Sequence, residues 1–344
     1  MDSFDRPNYS KKNIKFDENV SRWTRFKYKY LTLFALKKFF WALFRYALLV
    51  GISYVILFPY YSKISTSLMS GEDFVDITVK LVPKYPTLDT YKMILNETSF
   101  WQATLNTGLV SLFCGVVQML MCSLVGYGFS KFNFKGKSLL FLFVIITLVI
   151  PHKTMQSTMR FFFQDFKIWG IPLGLNLLNP ASDSVIASNW PIALLSFGAI
   201  GYRNGLYIFM MRQFYKGVPD ELEEAAYVDG AGTMLTFWKI IVPMSVPMMV
   251  TVFIFTFSWQ WTDRFYTKML YANSDYVFFN QILDEVQKTP TATRWFADYA
   301  QIANNYSLAI QNAVGILILI PLVIIFLFGQ KKLVQGIERS GVTG

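Results

Sequence analysis

The chain has 344 residues, of which 53% are hydrophobic, 18% aromatic and only 16% charged, and its formal net charge is +10. Soluble domains carry about 25% charged residues, so this composition argues against an ordinary soluble enzyme and excludes a disordered chain. Its one histidine, His152, excludes a site built from several histidines. The excess of basic residues alone would fit a protein that binds nucleic acid. The long apolar stretches instead favour a membrane protein, and no nucleic-acid partner is expected.

A basic segment, residues 1–38, comes first and holds 10 of the 32 Lys and Arg residues. About 20 apolar residues cross a bilayer as a helix. The chain therefore predicts an all-α membrane protein with six transmembrane helices, at Phe39–Tyr61, Leu105–Ser130, Leu139–Met159, Pro191–Met211, Pro243–Trp261 and Ala309–Phe328. These helices form a predicted transmembrane domain over residues 39–330, which a tail at residues 331–344 follows.

Lys and Arg are unevenly distributed between the two sides of these predicted spans. With the N-terminus inside, the inner segments hold 19 of them and the outer segments hold 9. Basic residues favour the cytoplasmic side, so we expect both termini to be cytoplasmic and the N-terminal tail to contact anionic membrane lipid. The third outer loop, residues 262–308, is long enough that we expect structure of its own.

The inner loop between the fourth and fifth spans, residues 217–243, predicts a short cytoplasmic helix. Asp220 followed by Glu223 is similar to a capping box, and acidic residues suit the positive end of the helix dipole. Ala225 and Ala226 are strong helix formers. Their small side chains would give one face of the helix a flat surface that can enter a groove on a partner protein.

The end of this loop is also readable from the sequence. Gly230 is placed to end the short helix in a left-handed conformation. A second helix is expected to begin near Thr233 and to continue past Pro243 into the fifth span. From these residues alone, the helix either only connects the two spans or docks on a partner protein.

The spacing of residues in this loop resembles a known signature. Glu224-Ala225-Ala226 is followed after three residues by Gly230, and after nine more by Ile240-Ile241-Val242-Pro243. This pattern is similar to the EAA signature of ABC importer permease subunits, with Val242 where that family has Leu. Three other segments resemble the carbohydrate, MalG-like branch of these permeases, at residues 86–91, 126–137 and 333–344.

The resemblance implies a non-catalytic permease subunit in a bacterial plasma membrane. It implies a second, MalF-like permease, two copies of a cytoplasmic ATPase, and an extracellular solute-binding protein that delivers a carbohydrate, possibly an oligosaccharide. ATP and Mg would be bound by the ATPase, and no cofactor or metal is expected in this chain. The ATPase-coupling residues that the resemblance implies are Asp220, Glu223, Glu224, Ala225, Ala226, Gly230 and Pro243.

The segment Gly136-Lys137-Ser138 is not a Walker A motif. A Walker A loop needs a further glycine five residues before Gly136, and this chain has Lys131 there. We interpret the segment as a loop with a basic anchor.

Polar residues within and beside two predicted spans are candidates for the cargo path. His152 and Gln156 follow a proline that can kink the third span. Trp259, Gln260 and Asp263 end the fifth span, where a ring can stack on a sugar and polar groups can bind its hydroxyls. The alternative is that these residues lie at the membrane interface, as snorkelling side chains or an aromatic belt.

Other functions remain open from the sequence alone. An importer for a non-sugar solute such as a peptide, polyamine or phosphate would carry a related inner loop. A membrane enzyme would need clustered intramembrane acids or histidines, and a channel would need a filter or a ring of charges. The predicted spans show neither pattern, and the sequence does not identify the sugar.

Overall fold

The computed structural model describes residues 33–164, 166–168, 171–175, 185–201, 203–271, 276–298 and 303–341. Over these ranges the chain is helical apart from turns and one hairpin, and the helices α1–α14 span Leu33–Ser67, Gly71–Val75, Asp89–Glu97, Phe100–Lys131, Lys137–Val149, Gln156–Gln164, Val185–Phe197, Asn204–Lys216, Glu221–Val228, Thr233–Trp261, Tyr266–Leu270, Phe279–Val286, Pro290–Asp298 and Ala303–Gly341. The antiparallel strands β1, Phe166–Ile168, and β2, Ile171–Leu175, form the hairpin.

Four helices are long and apolar enough to cross a membrane among the residues described. They lie within α1, α4, α10 and α14 and cover Lys37–Ser67, Phe100–Lys131, Thr233–Trp261 and Asn305–Gly336. These helices contain the first, second, fifth and sixth predicted spans. The chain divides into two units, one ending at Ser62 and one beginning at Lys63.

The third predicted span is not one helix. Helix α5 ends at Val149, and Ile150 takes an extended conformation with ψ 121°. A proline disfavours the helical conformation of the residue before it, and Pro151 therefore ends α5. A 3₁₀ turn at His152–Met155 leads into α6. The prediction of one helix over Leu139–Met159 is wrong for this reason, and the kink expected at the proline is a full break.

The fourth predicted span, Pro191–Met211, is broken as well. Helix α7 ends at Phe197 and α8 begins at Asn204. Between them Ala199 and Arg203 have positive φ angles of 51° and 62°, a region that interrupts a right-handed helix. The number of membrane crossings and the sides of the two termini stay predictions.

The centre of the second unit is built from α4, α8 and α10, with α5 against α8 and α14 against α10. Glycines permit the close approaches. A Cβ added at Gly126 of α4 would lie 2.7 Å from the Met211 Cβ of α8, and one added at Gly336 of α14 would lie 2.6 Å from the Thr251 Oγ1 of α10. Small residues let membrane helices approach closely and gain packing contacts.

The tight crossing of α4 and α8 predicts different outcomes for two glycines on one helix. Gly126→Ala is expected to destabilise the protein by about 1–3 kcal/mol, since the new methyl group meets Met211. Gly128→Ala is the matched control, because nothing lies within 4 Å of its added Cβ, and a better helix former there is expected to be neutral or stabilising. Thermal unfolding of the purified protein in detergent measures both. Equal effects would contradict the close crossing.

The segment between α10 and α14 carries α11, α12 and α13, as its length predicts. Glu285 of α12 accepts hydrogen bonds from the backbone N–H and the hydroxyl of Ser99, both at 2.9 Å. Trp261 Nε1 donates to the Ile318 carbonyl of α14 at 2.9 Å. The bonds to Glu285 fasten the segment to the start of α4, and the bond from Trp261 joins α10 to α14.

Candidate coupling site

The inner-loop helix α9 ends at a glycine in the left-handed conformation. Gly230 has φ 83°, its N–H donates to the Tyr227 carbonyl at 3.0 Å, and the Ala231 N–H donates to the Ala226 carbonyl at 2.9 Å. This pair of bonds is a Schellman motif. The prediction that Gly230 ends the short helix in a left-handed conformation is confirmed.

Helix α10 begins at Thr233, as predicted, and continues through Pro243. A π-helical turn over Phe237–Ile241 precedes the proline, and the Val242 N–H donates to the Phe237 carbonyl five residues back. A proline has no N–H for the usual helical bond and its ring crowds the preceding turn, and a wider π turn accommodates this. The loop therefore continues as one helix into a long apolar segment.

The expected capping box at the start of α9 is wrong. The Asp220 side chain makes no capping hydrogen bond. Its carboxylate instead pairs with the Lys131 ammonium at the end of α4, at 2.5 Å. The ion pair with Lys131 thus occupies this carboxylate in place of the backbone cap.

Glu223 lies inside the protein rather than on the loop surface. Its side chain is 8% exposed, and Lys131 Nζ lies 3.4 Å from its Oε1. The Tyr127 hydroxyl donates to its Oε2 at 2.9 Å. Lys131 also donates to the Val218 carbonyl at 2.6 Å. Glu223 and Lys131 together anchor the start of α9 to the end of α4.

A buried aromatic and hydroxyl network continues from this anchor. The Tyr127 ring lies 5.0 Å from the Phe237 ring and 5.8 Å from the Tyr215 ring. The Tyr215 hydroxyl bonds to Ser123 at 2.5 Å and to Ser245 at 3.2 Å. Helices α4, α8, α9 and α10 are thus connected by one set of buried contacts.

The opposite side of the loop is exposed and carries mostly apolar side chains. We call it the loop face. It comprises Leu222, Glu224, Ala225, Tyr227, Val228 and Met234, all exposed, with Val228 at 87%. Ala226 is buried, so only one of the two predicted alanines contributes to this face. Contiguous exposed apolar side chains mark a surface that another molecule covers.

The structure describes the side chains of three of the five candidate cargo residues, Trp259, Gln260 and Asp263. The backbone at His152 and Gln156 lies in the 3₁₀ turn and at the start of α6, while their side chains lie outside the described part of the structure. Asp263 accepts the N–H groups of Phe265 at 3.0 Å and Thr267 at 2.8 Å. Burial raises the pKa of the Asp263 carboxyl. This carboxyl is engaged in holding the start of α11.

Trp259 and Gln260 differ in their surroundings. The Trp259 ring is partly exposed, and the Arg203 guanidinium lies 3.9 Å from its centroid. The Gln260 side chain is buried. Sequence reasoning missed Arg203 and the neighbouring Asn204, although two polar residues inside an apolar stretch were a visible sign.

Comparison with known proteins identifies the family. Residues 118–339, which include α9 and its anchor, match the family described as "Binding-protein-dependent transport system inner membrane component". The chain belongs to this family. It is therefore a permease subunit of an ABC transport system, a multi-pass membrane protein that works in a complex and leaves ATP hydrolysis to a partner ATPase.

Several relatives resemble the chain over most of its length. The maltodextrin transport system permease protein MalD of Streptococcus pneumoniae is 27% identical over 302 residues, covering 87% of this chain and 94% of the relative. The galactooligosaccharides transport system permease protein GanQ of Bacillus subtilis is 27% identical over 308 residues, covering 88% and 95%. The trehalose transport system permease protein SugB of Mycobacterium tuberculosis is 26% identical over 265 residues, covering 77% and 85%.

A solved structure shares the fold. It is the crystal structure of a bacterial ABC transporter involved in the import of the acidic polysaccharide alginate, with a TM-score of 0.65 and 21% identity. The match covers 86% of this chain and 97% of that chain. Together, these findings confirm the resemblance to ABC importer permeases that the loop signature indicated.

Proposed function

We propose that this chain forms half of the translocation pathway of an ABC importer for an oligosaccharide. A second, MalF-like permease would supply the other half, two copies of a cytoplasmic ATPase would bind ATP and Mg, and an extracellular binding protein would deliver the cargo. The three relatives quoted above are named for maltodextrin, galactooligosaccharides and trehalose. None of these three is named for a peptide or a polyamine, which favours a carbohydrate.

The loop face and its anchor are the observation that supports the coupling mechanism. The exposed side of α9 offers apolar side chains and Glu224 to an ATPase. The buried side is fixed to α4 through Lys131 and Glu223, and α10 continues from the loop as one helix. A movement of the ATPase would thus be transmitted to two long helices by a rigid element.

The broken helices fit into the same proposal. We infer that α5 with α6, and α7 with α8, supply the third and fourth crossings, and that both termini are cytoplasmic. Non-helical backbone at membrane depth is tolerated where it is buried in protein or lines a cavity. Breaks at Pro151 and between Ala199 and Arg203 are consistent with a cavity-lining role.

Uptake by the complete importer in proteoliposomes tests the function. The probes are labelled maltotriose, galactotriose and arabinotriose, with a labelled tripeptide and spermidine as non-sugar probes. We expect uptake of an oligosaccharide that requires both ATP and the binding protein. Uptake of the tripeptide or spermidine with none of the sugars would contradict a carbohydrate importer.

A further inference from the structure

Three basic side chains lie together where α5 begins and α8 ends. Lys137 is the first residue of α5, and Arg212 and Lys216 lie in the last turns of α8. The positive charges of Arg212 and Lys216 act on the Lys137 ammonium, which shows that the three groups are neighbours. We call Lys137, Arg212 and Lys216 the basic cluster.

No carboxylate neutralises the basic cluster in the part of the chain that the structure describes. Its three side chains form no ion pair there, and the carboxylates of Asp220 and Glu223 pair with Lys131 instead. Residues 126–140 and 201–218, which surround the cluster in the chain, contain no Asp or Glu. Like charges held close together repel each other, so a bound anion would stabilise this arrangement.

Two members of the basic cluster are held in position by the end of α4. Arg212 Nε donates to the Phe129 carbonyl at 3.3 Å, and the guanidinium carbon lies 3.9 Å from the centre of the Phe141 ring. Lys137 Nζ donates to the Phe132 carbonyl at 2.7 Å. The last carbonyls of a helix have no partner within that helix, so these bonds fix both cations on the backbone.

The basic cluster keeps donors that a ligand can reach. A guanidinium has five N–H donors, and among the described residues only the Nε of Arg212 bonds to a neighbour. Its two terminal nitrogens are neither bonded there nor buried, and the Lys216 side chain is exposed. A guanidinium presents paired N–H donors that match the oxygens of a phosphate.

The surface beside the basic cluster is apolar. No residue of α5 is buried in the protein. Leu139, Leu140 and Phe143 follow Lys137 and are 57%, 49% and 54% exposed, and Phe134 just before the helix is 43% exposed. A free phosphate ion makes no use of such a surface, whereas a lipid places acyl chains next to its headgroup. The exposed start of α5 therefore favours a lipid.

We propose that the basic cluster binds the phosphate of an anionic lipid headgroup, with the acyl chains along the exposed side of α5. The proposal rests on the topology proposed above, in which the end of α8 and the start of α5 lie at the cytoplasmic leaflet. Basic pockets between membrane helices on that side suit anionic headgroups. The site does not depend on which solute the importer carries.

Native mass spectrometry of the purified complete importer measures this binding. The complex is titrated with phosphatidylglycerol, and with phosphatidylcholine as the zwitterionic comparison. Lys216→Gln removes one charge without a hydrogen bond of the described structure, and Arg212→Gln with Lys216→Gln removes the accessible donors of both side chains. Lys135→Gln is the matched control, because Lys135 is exposed in the connection before α5 and its charge is not among those that act on Lys137.

We expect phosphatidylglycerol to bind more tightly than phosphatidylcholine. Its affinity should fall about fivefold with Lys216→Gln and about 30-fold with the double variant, since each basic residue contributes to the attraction of an anionic lipid. Lys135→Gln should leave the affinity unchanged. Should the double variant fail to assemble, Lys216→Glu reverses the charge at an exposed position and should abolish the preference for phosphatidylglycerol.

Three results would overturn the proposal. Equal affinities of the unmodified importer and the Lys216 variants would show that the basic cluster is not the site. Displacement of phosphatidylglycerol by excess inorganic phosphate would assign the cluster to a free anion. Binding that appears only after the ATPase is removed would show that an acidic protein surface covers the cluster. The uptake assay above tests the transport function separately, so either proposal can fail alone.

Discussion

Replacing Lys131 with methionine is expected to lower cargo-stimulated ATP hydrolysis by the assembled importer at least about tenfold. Lys131 pairs with Glu223, whose side chain is buried. Removing one partner of a buried ion pair leaves the other charge uncompensated and costs about 3–5 kcal/mol. The start of α9 would then be attached to α4 only through the Tyr127 hydroxyl, although the loop face itself is unchanged. ATP hydrolysis and thermal unfolding of the purified complex measure the two consequences.

Lys135→Met is the matched control for this prediction, because Lys135 lies on the exposed connection that follows α4. It should leave hydrolysis and stability unchanged. Adding Glu223→Gln to Lys131→Met should restore part of the loss, since residues that contact each other are not additive. If the two single effects simply add, or if Lys135→Met is equally damaging, the anchor is not the cause.

The second large effect is expected at the tip of the loop face. Val228→Glu should weaken binding of the ATPase by roughly 30-fold, because a central apolar contact replaced by a charge costs about 2 kcal/mol or more. Val228 is 87% exposed, so the protein without its ATPase should keep its stability. Association is measured by titrating the purified ATPase against the permease pair in nanodiscs.

Ile77→Glu controls for the introduction of a charge at an exposed apolar position. Ile77 is 92% exposed and lies between α2 and α3, far along the chain from the loop. We expect it to leave ATPase binding unchanged. An equal loss for both variants, or a loss of thermal stability with Val228→Glu, would mean that the loop face is not the binding surface.

The long helices were predictable from sequence because uninterrupted apolar stretches have few alternatives in a membrane. The breaks were less predictable. Pro151 and the polar residues after it indicated a kink in the third span, whereas apolar residues continue through Ala199 without such a sign. Ala199 has a positive φ, a conformation that non-glycine residues rarely adopt, and nothing in a local pattern indicates it.

In the coupling site, too, the features that depend on neighbouring residues were predictable, and the contacts with residues far away in the chain were not. Gly230 and the start of α10 near Thr233 follow from local turn and helix preferences, and both were predicted. The roles of Asp220 and Glu223 were not, because their partner Lys131 lies 89 residues before Asp220 in the chain. A capping box is the local option for Asp220, and a distant ammonium replaces it.

Photo-crosslinking at the loop face tests the central claim most directly. A photoreactive amino acid is placed at position 224 or 228, and at position 77 as the control, in the importer in its native membrane. The account predicts a crosslink to the ATPase from positions 224 and 228 and none from position 77. An ATPase that copurifies with the chain but crosslinks at neither loop position, or equally at position 77, would contradict it.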